Sequence, residues 1–120
     1  MVVPADVRRA LTEHARAEAP NEACGLILLR DGVAEGYVPG RNAAASPYRF
    51  DLEFDDPSVW FLEDEGYELA VFHSHLSSPP RPSKTDVENI GLWEGRPYVI
   101  LNVRTASSPR GRSEVARSRL

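Results

Sequence analysis

Cysteine is nearly absent from this chain. Among its 120 residues Cys24 stands alone, so no internal disulfide can form and a fold held by a cystine framework is excluded. Long apolar runs are missing too. The longest, such as Leu26-Ile27-Leu28-Leu29, are strand-sized and far short of the roughly 20 residues that cross a bilayer as a helix. The first residues carry neither the basic segment nor the apolar stretch of a secretory signal. No internal repeat or low-complexity tract is found. These absences predict a soluble, cytoplasmic protein with no membrane partner.

A surplus of positive charge is also lacking. The net charge is -4, which argues against nucleic acid as the main partner. Locally the imbalance is sharper: from Asp51 to Glu68 there are eight acids and no Lys or Arg, whereas after Val103 five arginines face one acid, Glu114. Both runs read first as solvated surface. A basic tail on an acidic body is also compatible with partner docking.

What is present fits one domain of 120 residues, 42% hydrophobic and 27% charged, with no room for a second core. Val3, Val7, Leu11, His14 and Ala15 recur at helical spacing, predicting a helix over Pro4 to Glu18 that ends at Pro20-Asn21. Cys24 to Arg30 reads as a buried strand, Asp31-Gly32 as a tight turn, and Val33 to Val38 as the return strand of a hairpin. Pro39-Gly40 and Asn42 to Ser46 read as loop, and Tyr48 to Leu52 alternates as a half-buried strand. Asp55 or Asp56 before Pro57 predicts a helix through Val59, Trp60, Leu62 and Glu63, stopped by Gly66. Glu68 to Phe72 is a second buried strand running directly into His73. Pro79, Pro80 and Pro82 forbid regular structure, Ser83 to Trp93 reads as a short helix, and Tyr98 to Val103 as an apolar strand. The residues from Ser108 onward are polar enough to fray, though Glu114 to Leu120 could add an edge strand. The order predicts an α/β domain: a single mixed β-sheet flanked by helices.

The chemistry-bearing stretch is His73-Ser74-His75 followed by Ser83 and Asp86. Two histidines at i and i+2 share a face only where the chain is extended, and a strand end would aim both imidazoles at one point. Imidazole is a good zinc ligand, and a catalytic zinc takes three protein ligands and a water. Asp86, just inside the next helix, is a candidate third ligand. Plainer readings stand beside this one. One histidine can be core and the other a cap, Asp86 can be a first-turn helix acid, and Ser83 can be an N-cap. Glu22 reads by itself as a surface acid. Cys24 reads as a small buried hydrophobe rather than a nucleophile, and His14 as packing. Ser74 should face away from the histidine pair.

His73-x-His75, seven residues, then Ser83-x-x-Asp86, with Glu22 upstream in Pro20-Asn21-Glu22-Ala23-Cys24-Gly25-Leu26, resembles the signature of the JAMM (MPN+) zinc metalloproteases, and of their small prokaryotic members in particular. The likeness runs from about Pro4 to Val103. It implies the JAMM/MPN (cytidine-deaminase-like) architecture, with His73, His75 and Asp86 as Zn2+ ligands, Glu22 as general acid/base and Ser83 stabilising the oxyanion. It further implies a metallopeptidase or isopeptidase whose substrate is a small ubiquitin-like or sulfur-carrier protein with a Gly-Gly tail, and at family level a homodimer. A non-catalytic module that binds a ubiquitin-like protein is the alternative, disfavoured by the complete ligand set.

Overall fold

The computed structural model describes residues 1–45, 52–75 and 95–102 with side chains, and 115–119 as backbone. Tyr48 to Asp51, the proline loop, the Ser83 to Trp93 helix and Val103 therefore lie outside the described residues, and Ser83 and Asp86 with them.

Helix α1 spans Ala5–Glu18 with Pro4 as its N-cap, a position where the missing proline N–H costs nothing. Val7, Leu11 and Ala15 are its buried residues, spaced by four and hence stacked on one face. Strand β1 (Cys24–Arg30) turns at Asp31-Gly32 into β2 (Val33–Pro39). Both turn residues have positive φ, 52° and 78°, the combination a two-residue hairpin loop demands and Asp and Gly tolerate. Val2 seals this end, donating to the Gly32 carbonyl at 2.7 Å and accepting from Ala34 N–H at 2.8 Å.

The predicted sheet is present. Its five strands lie in the order β2-β1-β5-β6-β7, where β5 is Glu68–His75, β6 Pro97–Asn102 and β7 Val115–Arg119. Among the described strand pairs of this sheet only β5–β6 is parallel; β1 pairs antiparallel with β2 and β5, and β6 with β7. No described helix is long and apolar enough to cross a membrane.

Three expectations need correction. The stretch from Pro57 is not an α-helix but two short 3-10 turns, Pro57–Phe61 and Glu63–Glu65. Asp56 caps the first by accepting from Ser58 N–H at 2.9 Å, which lowers its pKa, and Gly66 ends the second at φ 97°. Val59 alone is buried there, while Trp60 and Phe61 are exposed; a run this short lacks the apolar stripe that would hold an α-helix down. Next, Arg41–Asn42, expected in or beside a loop, forms β3 and pairs with β4 (Leu52–Glu53) in a separate two-stranded sheet. Arg41 bridges the pair, bonding Glu53 and Asp55 at 2.9 Å each. Last, β4 reaches Glu53, one residue beyond the expected strand end.

The sheet separates two apolar layers. On one face Ile27, Leu29, Ala70, Phe72, Val99 and Leu101 pack under Val7, Leu11 and Ala15 of α1. On the other, Leu26, Leu69 and Val71 pack with Val59 and the half-buried Leu52 and Leu62. Each fully buried Val, Leu, Ile or Phe side chain contributes about 1.5–3 kcal/mol, so the two layers fix which side chains face which way.

At the edge of the α1 layer the Tyr37 ring packs edge-on against Phe72, and its hydroxyl lies 2.6 Å from His14 Nδ1. Burial pushes the tyrosine pKa far up, so the hydroxyl stays protonated. Burial also lowers the His14 pKa, against an opposing pull from Glu18. The native state therefore favours neutral His14, and its contribution to stability is complete above the ordinary value of 6.5 and is lost as pH falls through the lowered native value. We expect the urea midpoint of the parent protein to drop more steeply from about pH 7 to about pH 5 than that of His14→Gln; parallel profiles would show that His14 is not responsible.

Candidate metal centre

Topology brings the polar residues together. β5 and β6 are parallel, so their carboxyl ends share one edge of the sheet, and antiparallel β1 begins at that same edge. Along β5, side chains alternate: Ala70, Phe72 and Ser74 follow the α1 face, while Leu69, Val71, His73 and His75 follow the other. Cys24 is the cross-strand partner of His73 on β1, and Ile100 and Asn102 are the partners of His73 and His75 on β6. Glu22, two residues before Cys24, continues the same row just outside the strand. The apolar row of the second layer thus ends in a polar cluster where the strands end.

The cluster is tight and dry. Glu22, His73 and His75 are 3%, 0% and 3% exposed. The two Nε2 atoms lie 3.2 Å apart, and Glu22 Oε1 is 3.4 Å from His75 Nε2. One donor atom from each residue can be chosen so that all three lie within 4.8 Å of one another. Two ligands at the tetrahedral angle about a zinc, with bonds of about 2.0–2.1 Å, are separated by roughly 3.3 Å, close to the observed nitrogen–nitrogen distance. A buried carboxylate beside two imidazoles is costly unless paired or turned to a cation. These residues can therefore hold a metal ion.

The backbone around Glu22 is held from two sides. Ala23 N–H donates to Ser74 Oγ at 2.8 Å and Ser74 N–H donates to the Ala23 carbonyl at 2.9 Å. On the other side Asn42 Nδ2 donates to the Glu22 carbonyl at 2.9 Å. Gly40 permits the approach of β3: its N–H donates to the Cys24 carbonyl at 2.9 Å, and a Cβ there would collide with Leu52 and crowd Phe54. Cys24 is in no disulfide and is 0% exposed, as a small buried hydrophobe should be.

Of the five residues singled out in the sequence, the structure brings Glu22, His73 and His75 together across 51 residues of chain. Ser83 and Asp86 lie outside the described residues, between β5 and β6 in sequence. Ser74 does face away from the pair. Asn42 and Asn102 escaped sequence reasoning: an asparagine beside a glycine-bearing loop, or ending an apolar strand, carries no signal of its own.

The family model described as prokaryotic homologs of the JAB domain matches residues 4–116. The chain belongs to this family. The resemblance to the small prokaryotic JAMM/MPN proteins is thereby established. Among its JAB relatives, the CysO-cysteine peptidase of Mycobacterium tuberculosis is 34% identical over 109 residues, spanning 87% of this chain and 74% of the relative. The desampylase of Haloferax volcanii is 35% identical over 119 residues, 90% of this chain and 80% of its own. A Thermus thermophilus protein described as a probable TtuB-protein conjugate cleaving protease is 38% identical over 123 residues, 92% and 79% of the two chains. A solution structure from Desulfitobacterium hafniense superposes with a TM-score of 0.73 at 28% identity, covering 97% of this chain and 81% of that one. The crystal structure of a JAB1/MPN domain protein from Archaeoglobus fulgidus gives 0.61 at 18% identity, covering 99% and 89%, a likeness of fold alone.

Proposed function

We propose that this JAB-domain protein is a cytoplasmic zinc metallopeptidase that hydrolyses the amide bond following the C-terminal glycines of a ubiquitin-like or sulfur-carrier protein. The observation that carries this reading is the Glu22 carboxylate, buried 3.4 Å from His75 Nε2 beside the 3.2 Å histidine pair. Acids are mostly exposed, and burying one costs stability unless it is paired or serves a function; a proton acceptor for hydrolysis belongs in a dry site next to the metal ligands. Three relatives, each at least 34% identical, point to the substrate class: a CysO-cysteine peptidase, a desampylase and a probable TtuB-protein conjugate cleaving protease.

In this reading His73, His75 and Asp86 hold the zinc. When bound, zinc supplies Lewis acidity and brings the pKa of a water down to near neutrality. Glu22 takes a proton at Oε1 from the attacking water and returns it to the leaving amine, splitting the amide into a carboxylate and a free amine. The Ser83 hydroxyl donates to the carbonyl oxygen as negative charge grows there. The terminal glycines offer only main chain for recognition, so an extended tail paired along backbone groups would place the scissile carbonyl.

The test is cleavage of a ubiquitin-like protein whose Gly-Gly terminus is joined to an amino acid. We expect release of the intact Gly-Gly end, seen by mass spectrometry, suppressed by a chelator and restored by zinc. Binding without cleavage by zinc-loaded protein would make the chain a recognition module. Cleavage that survives chelation but not thiol alkylation would shift the chemistry to Cys24.

A further inference from the structure

Glu22 and Ala23 precede the first residue of β1, so the ladder that fixes Cys24 opposite His73 does not by itself fix Glu22. A regular antiparallel pair exchanges two main-chain bonds. Here Ser74 N–H to the Ala23 carbonyl is one of them, but Ala23 N–H turns to the Ser74 hydroxyl. The chain thus leaves the ladder at Ala23 while still tied to β5. Across the Glu22–Ala23 peptide, the Glu22 carbonyl accepts from Asn42 Nδ2. The asparagine is itself oriented, since its Oδ1 accepts from Ala44 N–H at 3.1 Å, and β3 pairs with β4 through Asn42 and Leu52. Both groups of the peptide unit that follows the Glu22 α-carbon are therefore gripped by side chains, one from each flanking strand. Ser74 is 1% exposed, so water does not compete for the Ala23 amide.

We propose that Ser74 and Asn42 are positioning residues for Glu22: they clamp the Glu22–Ala23 peptide unit so that the carboxylate is held beside His75 rather than swinging to solvent. Neither touches the reacting atoms. They act through Glu22, and the inference rests on the reading of Glu22 as the proton acceptor. Ser74 occupies the position between the two histidines, yet its side chain serves the opposite face of the sheet.

The experiment compares Ser74→Ala, Ser74→Thr and Asn42→Ala, each alone and combined with Glu22→Gln, in zinc-loaded protein. The substrate is a ubiquitin-like protein carrying an aminocoumarin amide on its Gly-Gly terminus. Misplacing a catalytic group by about 1 Å costs on the order of 10²-fold. We therefore expect Ser74→Ala and Asn42→Ala each to lower kcat about 10- to 100-fold, with KM and zinc content unchanged. Threonine keeps the hydroxyl and should restore the rate. In the Glu22→Gln background neither alanine change should slow the enzyme further. Hydrogen exchange at the Ala23 amide gives a readout apart from activity: protection should fall in Ser74→Ala and return in Ser74→Thr. Losses that multiply with Glu22→Gln, loss of zinc from Ser74→Ala, or an unprotected Ala23 amide with full activity would each overturn the proposal. A Glu22→Gln enzyme as fast as the parent would remove the acceptor itself, and that single measurement tells the failure of the Glu22 reading apart from a failure of the clamp.

Discussion

Glu22→Gln is expected to retain zinc and to lose turnover by about 10²–10⁴-fold, the range for removing a positioned general base. The amide is the same size as the carboxylate, so the 3% exposed site is neither emptied nor overfilled. The peptide unit after Glu22 keeps its bonds to Ser74 and Asn42, because those involve main chain. Only the ability to accept and return a proton is removed. Kinetics on the Gly-Gly substrate, with metal content measured on the same sample, checks both halves. The metal half matters because the carboxylate lies 3.4 Å from His75 Nε2, near enough to serve as a third ligand. Zinc retained with activity lost marks Glu22 as acid/base; zinc lost moves it into the ligand set; undiminished activity rejects both roles.

Legibility in the sequence followed the strength of local patterning. Helix α1 and strand β1 were readable to within one residue because Val7, Leu11 and Ala15 repeat at helical spacing and Cys24 to Leu29 is an unbroken apolar run bounded by Asp31-Gly32. The His73-Ser74-His75 alternation was readable because the apolar run from Leu69 demanded an extended chain, and that chain continues through His75. The segment after Pro57 misled because start and stop signals were present without the length between them: the closing bonds, Leu62 N–H to Val59 and Glu65 N–H to Leu62, span three residues. The β3–β4 pair has two residues per strand, too few for any periodicity, and is tied by Arg41 to Glu53 and Asp55, ion pairs that a charge count cannot distinguish from solvated surface.

Long-range placement was beyond local reading. Glu22 looked like a surface acid from its neighbours, and family resemblance alone singled it out. Its burial arises from long-range contacts: with Leu26 facing Val71 and Cys24 facing His73, the chain just before β1 starts near His75, and the bonds of Ala23 to Ser74 and of the Glu22 carbonyl to Asn42 hold it there. The same contacts explain Ser74. Alternation gave its direction correctly, but its bond to Ala23 needs β1 to leave the ladder one residue early, which no pattern in either segment announces. The candidate site was thus half legible: the histidine pair from spacing, Glu22 from resemblance, and the residues bonded to its peptide unit from the fold alone.

The second large effect is expected from the metal ligands. The parent chain should bind about one zinc per molecule, and zinc held at about 1,000 times its dissociation constant stabilises the native state by about 4 kcal/mol. For a domain of this size that raises the melting temperature by roughly 15 °C, and a chelator should reverse it. His73→Ala and His75→Ala should abolish both the rise and the activity, because each removes one nitrogen of the 3.2 Å pair. Asp86→Ala should weaken zinc binding in the same direction, and it carries the most discriminating outcome. The described cluster already offers three donors, Glu22, His73 and His75. If Asp86 is the third ligand, Asp86→Ala loses the thermal shift while Glu22→Gln keeps it. If Glu22 fills that place, the two variants exchange behaviour, and the proton must be moved by some other group. Thermal melts of the two variants with and without zinc therefore assign the ligand set before any substrate is in hand.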